Sequence, residues 1–158
     1  MTATESPVIH STFVLERNFP QRPSRVFSAF SQPALKRRWY AEDDHDIKDF
    51  RMDFQVGGTE EFRYGFRPGH PIAGSEISNE SIYQDIVDEK RIVTSSRMTL
   101  NGKTIVVMLA TLEFAPAGHG TDLILTHQGT YIDWPDGAKM IELGWKSLID
   151  RLQKELAQ

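Results

Sequence analysis

Residues 133–158 read D-W-P-D-G-A-K-M-I-E-L-G-W-K-S-L-I-D-R-L-Q-K-E-L-A-Q. Ile141, Trp145, Leu148, Leu152 and Leu156 recur at spacings of three and four, which places them on one side of an α-helix. Glu142, Lys146, Asp150 and Lys154 recur every four residues on another side, with alternating sign. Pro135 fits a first helical turn, where its missing N–H is no loss, and Asp133 or Asp136 can cap that turn. The stretch predicts a long amphipathic helix whose apolar face the rest of the chain must meet. Gly144 interrupts it at about 1 kcal/mol relative to alanine, which suggests close approach of another backbone, or space left beside Trp145.

Working outward, the 158 residues suit one domain with a sizeable core. We take that domain as residues 8–158, preceded by a small, polar, flexible tail at residues 1–7. Hydrophobic residues at 39% and charged residues at 25% describe an ordinary soluble globular chain. A net charge of −4 gives no electrostatic reason to expect nucleic acid or an anionic membrane as partner. The absence of cysteine excludes disulfides, thiolate catalysis and cysteine-based zinc sites. No apolar run approaches bilayer-spanning length, and no basic-then-apolar leader opens the chain. The expectation is a cytoplasmic protein.

Val8 to Phe19 alternates as a strand, with Phe13 and Leu15 on one face. Two short helices follow, Pro23 to Phe30 with Ser24 as a cap, and Pro33 to Tyr40. Ile47 to Phe54 alternates again, placing Phe50, Met52 and Phe54 together. After the Gly57-Gly58 turn, Phe62, Tyr64 and Phe66 share a face, with Glu61 and Arg63 opposite. Ser75 to Val87 reads as a strand with Ile82 and Ile86 in phase, and Ile92 to Met98 as the next. Asn101-Gly102 is a strong hairpin signal. Lys103 to Phe114 is apolar on both faces around Ile105 to Leu109, as a central strand would be. In the last strand, Thr121 to Gly129, His127 is in phase with Leu123 and Leu125. The order is a strand, two short helices, about six antiparallel strands and one long helix. Such a sheet has a face to bury, and the final helix is the element long enough to cover it. A curved sheet around one helix often encloses a concave, largely apolar pocket.

Several short runs resemble a known family. Pro23-Ser24-Arg25-Val26-Phe27-Ser28-Ala29-Phe30 with Leu35 and Trp39 is similar to the opening of START/SRPBCC-superfamily domains. Phe54-Gln55-Val56-Gly57-Gly58, Thr111-Leu112-Glu113-Phe114, Gly120-Thr121-Asp122-Leu123, Leu125-Thr126-His127 and Gly144-Trp145-Lys146-Ser147-Leu148 resemble the branch named after the activator of the heat-shock-protein ATPase. The resemblance runs from about residue 10 to 156, and the order and spacing of the runs carry it. It implies an α+β helix-grip fold, with a curved seven-stranded antiparallel sheet around a long C-terminal helix and two short helices after strand one. It also implies a deep apolar cavity for small hydrophobic molecules or lipids, although members of one fold serve many chemistries.

The candidate ligand-binding residues are Trp39, Tyr40, Phe54, Phe62, Tyr64, His127, Met140 and Trp145. Trp39 and Tyr40 close the second short helix near the expected cavity mouth, where the plainer reading is helix-on-sheet packing. Phe54, Phe62, Tyr64 and Phe66 either line the cavity or fill it, and a buried Tyr64 hydroxyl needs a partner. His127 is an inward imidazole, read as an acid, base or ligand anchor, or as a hydrogen-bonded structural histidine. Glu42-Asp43-Asp44-His45-Asp46 has metal-ligand composition but loop spacing, so a solvated loop is the plainer reading. His70 reads as a surface residue, and Arg63 and Arg97 as outward-facing. Gly57-Gly58 lacks the third glycine and helix of a dinucleotide loop, and no serine sits in a nucleophile elbow.

The expected function is binding of a small hydrophobic or aromatic molecule between sheet and final helix, with no cofactor, metal, nucleic acid or membrane partner. Two alternatives use other signals: a cyclase- or hydrolase-like enzyme combining His127 with Tyr64 or a carboxylate, and a co-chaperone or protein-interaction module. A homodimer is compatible with the sequence.

Overall fold

The computed structural model describes residues 7–41 and 46–158, so residues 1–6 of the expected tail lie outside the described residues. The elements run β1 (Val8–Phe19), α1 (Pro23–Ser31), α2 (Pro33–Tyr40), β2 (Asp46–Met52), β3 (Thr59–Gly65), β4 (Glu76–Val87), β5 (Arg91–Leu100), β6 (Lys103–Ala117), β7 (Gly120–Ile132) and α3 (Gly137–Leu156). The strands form one antiparallel sheet in the order β1-β7-β6-β5-β4-β3-β2. The α+β helix-grip architecture expected from the sequence is therefore the observed one. The β5–β6 hairpin turns through Asn101 and Gly102, both at positive φ, as the asparagine-glycine signal requires. Among the described residues no helix is long and apolar enough to cross a membrane.

All three helices lie against the concave face. α1 packs on β6 and β7, α2 on α1, α3 and β2, and α3 on β1 and β7. One core cluster holds Phe19, Phe27, Phe30, Trp39, Tyr83, Leu112, Phe114, Leu125, Ile149 and Leu152. A second is built on Val106, Met108 and Tyr131, with Trp134 and Ile141 against it. A cross-strand row on the concave face, Met52, Glu60, Ser81, Ser96, Met108, Gly129 and Ser11, runs from Met52 against the first cluster to Met108 in the second. Most of that row is polar or lacks a side chain, so it forms a seam through the core. Ser81 and Ser96 hydroxyls satisfy each other across it at 2.7 Å.

Several local expectations need correcting. Ile82 and Ile86 do not share a face, because the register shifts between Tyr83 and Asp85. That bulge inserts one residue and reverses the alternation. Ile86 faces the core, Ile82 faces out, and the inward residues of β4 are Ile77, Asn79, Ser81 and Tyr83. Central strand β6 is not buried on both sides: Val107 and Leu109 are 46% and 40% exposed, since none of the described helices packs on the convex face there. Arg22, not Ser24, occupies the cap position of α1. α3 begins at Gly137, with Asp136 at its cap position making no side-chain bond and Pro135 before the helix.

The apolar stripe of α3 faces inward as its spacing predicts, with Ile149, Leu152 and Leu156 buried and Trp145 and Leu148 packed against the core. Gly144 does not mark close approach, because a Cβ there would meet nothing within 4 Å. The close approach is at Gly137, where a Cβ would fall 2.6 Å from the Tyr131 ring and 2.7 Å from Trp134. Two substitutions therefore have opposite signs. Gly144→Ala should raise stability by roughly 0.5–1 kcal/mol through helix propensity. Gly137→Ala should lower it by about 1–3 kcal/mol through overpacking. Urea unfolding midpoints of the two variants decide both.

Candidate functional site

Lys36 and Tyr40 stand one turn apart on α2 and so project from the same side of the helix. The Lys36 ammonium sits over the Tyr40 ring, 4.5 Å from its centroid, and its Nζ donates to Glu60 Oε1 at 2.6 Å. Tyr83 donates its hydroxyl to the same oxygen at 2.5 Å. Lys36, Glu60 and Tyr83 are all buried. Desolvating the two ions costs several kcal/mol each. Their mutual attraction, the charge-assisted bond from Tyr83 and the cation–π contact offset that cost. Burial, reinforced by the Glu60 charge, holds the Tyr83 hydroxyl well above the usual tyrosine range, so it stays protonated and keeps donating.

Tyr40 is the hub of an aromatic cluster. Its ring lies 5.6 Å from Phe62, 6.1 Å from Phe50, 5.6 Å from Trp39 and 6.5 Å from Trp145 on α3. Phe62 continues to Tyr64 at 4.8 Å, and Tyr64 to Phe66 at 5.9 Å. Burial and then the Glu60 charge raise the Tyr40 hydroxyl, which hydrogen-bonds the Asn79 side chain. Burial also raises Tyr64. Phe62 is buried, while Tyr40, Phe50, Tyr64 and Trp145 are half-buried. The cluster thus has a closed floor and a partly open rim between α2, β3 and α3.

Across the sheet, His127 is 1% exposed and stacks on its β1 partner Phe13, with centroids 4.8 Å apart and planes 10° apart. Burial depresses its pKa to about 4, so the imidazole is neutral near pH 7. Two residues on, Gly129 makes room for the Tyr131 ring, which passes within 3 Å of where a Gly129 Cβ would stand. Among the described residues four buried side-chain atoms lack a hydrogen-bond partner: Gln21 Oε1, Asn79 Oδ1, His127 Nδ1 and the Tyr131 hydroxyl. Gln21 lies at the C-terminal end of α3, where its Nε2 donates to the Leu156 carbonyl. The other three stand on the concave face.

The structure brings Tyr40, Phe62, Tyr64 and Trp145 together, leaves Trp39 touching Tyr40 from the core side, and places Phe54, Met140 and His127 elsewhere. Trp39 lies in the core, its indole N–H donating to the Ala29 carbonyl at 3.0 Å. Phe54 packs edge-on against Phe27 and Tyr83. Met140 is 53% exposed on the outward side of α3. His127 and Tyr64 are four strands apart, roughly 19 Å along the sheet at about 4.8 Å per strand, so they form no acid–base pair. Glu42, Asp43, Asp44 and His45 lie outside the described residues, among which no group of three or more His, Asp or Glu could hold a metal ion. Exposed His70 stacks on Phe66 at 4.5 Å, and Arg63 and Arg97 face out, paired with Glu76 and Glu80. Two clefts open away from the cluster. One of about 400 Å³ lies on the convex face by Glu61, Glu80 and Val107, and one of about 160 Å³ by Arg38, Arg151 and Lys154.

Sequence reading passed over Lys36, Glu60, Asn79 and Tyr131. Alternation in β3 already places Glu60 on the strand that carries Phe62 and Tyr64, and in phase with them, while the four-residue spacing places Lys36 beside Tyr40. Asn79 was hidden by the β4 bulge.

Two measurements test this geometry. Lys36→Met should cost about 3–5 kcal/mol by stranding the Glu60 charge, and adding Glu60→Gln should recover a large part of it; a denaturant double-mutant cycle reads the coupling. His127 sets the second. Its folded pKa is below the unfolded value near 6.5, so the unfolded chain takes up a proton first as pH falls. Stability should therefore drop between about pH 6.5 and pH 4, by on the order of 3 kcal/mol from this residue. In His127→Phe that component of the pH profile of the urea midpoint should vanish.

Comparison with known proteins gives a consistent placement. A family model described as Activator of Hsp90 ATPase homolog 1-like protein matches residues 21–157. No curated protein matches the chain. The crystal structure of the Mll3558 protein from Rhizobium loti is 41% identical, with 94% of this chain and 99% of that one covered at a TM-score of 0.86. An uncharacterized protein from Rhizobium leguminosarum is 29% identical over 98% of this chain and 99% of its own, at a TM-score of 0.88. A protein from Chromobacterium violaceum, 24% identical over 93% of this chain and 97% of its own, shares the fold at a TM-score of 0.77. With the helix-grip architecture and a family model spanning nearly the whole chain, this protein belongs to the Activator of Hsp90 ATPase homolog 1-like family.

Proposed function

We propose that this chain binds a small, largely apolar aromatic molecule at the rim of the Tyr40 cluster, between α2, β3 and the middle of α3. The carrying observation is the clustering of Tyr40, Phe50, Phe62, Tyr64 and Trp145, four of them only half-buried, over a floor whose charges are already paired. A ring system gains both area burial and edge-to-face contacts there. Trp145 makes the widest contact of the cluster, 6.5 Å from Tyr40, and is carried by the helix rather than the sheet. A ligand would enter by widening that contact. Pairing of Glu60 within the floor removes the buried carboxylate that the described residues place near the rim from general acid–base duty, which favours binding over catalysis.

The uncharged fluorophore N-phenyl-naphthylamine tests this reading. It should bind saturably, and Tyr40→Ala and Phe62→Ala should each weaken it by roughly tenfold or more from lost ring contact. Met140→Ala, on the outward side of α3, should leave binding unchanged. Absence of saturable binding, or equal affinities for wild type and Tyr40→Ala, would refute the assignment.

A further inference from the structure

The three unpartnered atoms on the concave face bear on which aromatic molecule fits, and so rest on the binding reading above. Asn79 stands on β4 beside Phe62, directly in the cluster. Its side chain already bonds the Tyr40 hydroxyl, and the free atom is the carbonyl oxygen Oδ1, which can only accept. On β7, His127 and Tyr131 flank Gly129, and Tyr131 folds back over that glycine toward His127. Both are 1% exposed, and both His127 Nδ1 and the Tyr131 hydroxyl lack a partner. Each group left unmet costs about 1–3 kcal/mol, so a molecule that meets them gains more than its apolar area supplies.

The electrostatics narrow the class. Lys36 is the buried cation of the concave face among the described residues, and Glu60 already engages it. Near Tyr131 the charge that acts on the hydroxyl is the Glu142 carboxylate, which repels anions. An acid headgroup therefore finds no free counter-ion at either end. A hydroxyl suits every open position: it donates to Asn79 Oδ1 and either donates to or accepts from His127 and Tyr131. Asn79 and Tyr131 belong to one cross-strand row, three strands apart, roughly 14 Å along the sheet and less across its concave side. Gly129 adds no side chain between His127 and Tyr131, and the Tyr131 ring itself lies over it.

We infer that the ligand is an uncharged, elongated aromatic molecule of two or three rings carrying a hydroxyl or N–H at each end, one end on Asn79 and the other on His127 and Tyr131. Displacement of N-phenyl-naphthylamine by three probes tests this on the intact chain: biphenyl, its para,para′-dihydroxy derivative and biphenyl carboxylate. The diol should displace at roughly tenfold lower concentration than biphenyl, reflecting the hydrogen bonds it gains, and the carboxylate should be the weakest. In Asn79→Leu and in His127→Phe the ratio of biphenyl to diol affinity should fall toward one, with the far-UV circular dichroism of each variant reporting that it is folded. Equal affinities of diol and biphenyl on the wild-type protein overturn the inference and leave the binding reading standing. A tightest-binding carboxylate does the same. If neither the fluorophore nor biphenyl binds, both fall together. The wild-type comparison decides without any variant.

Discussion

The α2 side of the concave face is arranged around one buried ion pair. Lys36 comes from α2 and Glu60 from β3, and Tyr83 joins them from β4, so a single carboxylate oxygen ties a helix to two strands. Apolar packing alone tolerates a helix that slides or rotates by a fraction of a turn. A buried pair does not, since any displacement that lengthens 2.6 Å strands a desolvated charge. α2 is thus held in one register on the sheet. Because Tyr40 is one turn beyond Lys36, its ring is held too, and Phe50, Phe62 and Trp145 pack on a fixed hub. The polar knot specifies the position of the apolar site.

The same row of the sheet explains why the core is divided. Ser81 and Ser96 continue from Glu60 across the concave face and offer no apolar volume between the first cluster and Met108 of the second, beyond which Gly129 carries no side chain. A helix laid over such a seam packs well at the two flanks and less completely above the seam. α3 follows that pattern, with Leu152 and Leu156 deeply buried toward one end, Ile141 on the second cluster, and half-buried Trp145 between them. The segment of α3 above the seam is the part least committed to the core. Buried but unpaired atoms at Asn79, His127 and Tyr131 edge the same region. In folded proteins most buried polar groups are satisfied, so their gathering on one face sets that region apart from the rest of the interior.

Membership of the Activator of Hsp90 ATPase homolog 1-like family accounts for the scaffold, whereas the polar seam and its unpaired atoms are properties of particular side chains on it. Two of the residues singled out from sequence show the distinction. Trp39 is an aromatic at the expected cavity mouth, yet its ring and its N–H are both consumed by the core. Tyr40, its neighbour, turns the other way and becomes the centre of the cluster. On a short helix a difference of one position is a rotation of about 100°, and it separates a structural residue from a candidate binding one.

The chain by itself determined the elements and their order. Periods of two and of three to four residues are local properties, so the strands around Phe62 and Leu125, the apolar stripe from Ile141 to Leu156 and the Asn101-Gly102 hairpin are all legible in the residues alone. The inward direction of His127 and the aromatic face of Phe62 and Tyr64 are legible for the same reason. What the tertiary structure decided was which faces meet. One inserted residue at Tyr83–Asp85 reversed the inward set of β4 and brought Asn79 into the site, an outcome that depends on pairing with β5 rather than on β4 alone. Glu60 finds Lys36 across 24 residues, and His127 is kept four strands from Tyr64 by strand order. Gly144 proved to face open space while Gly137 carries the close contact, because the fit of a glycine is set by the neighbour that approaches it. Local patterns fix what each segment is; long-range register and burial fix what it touches, and function rests on the second.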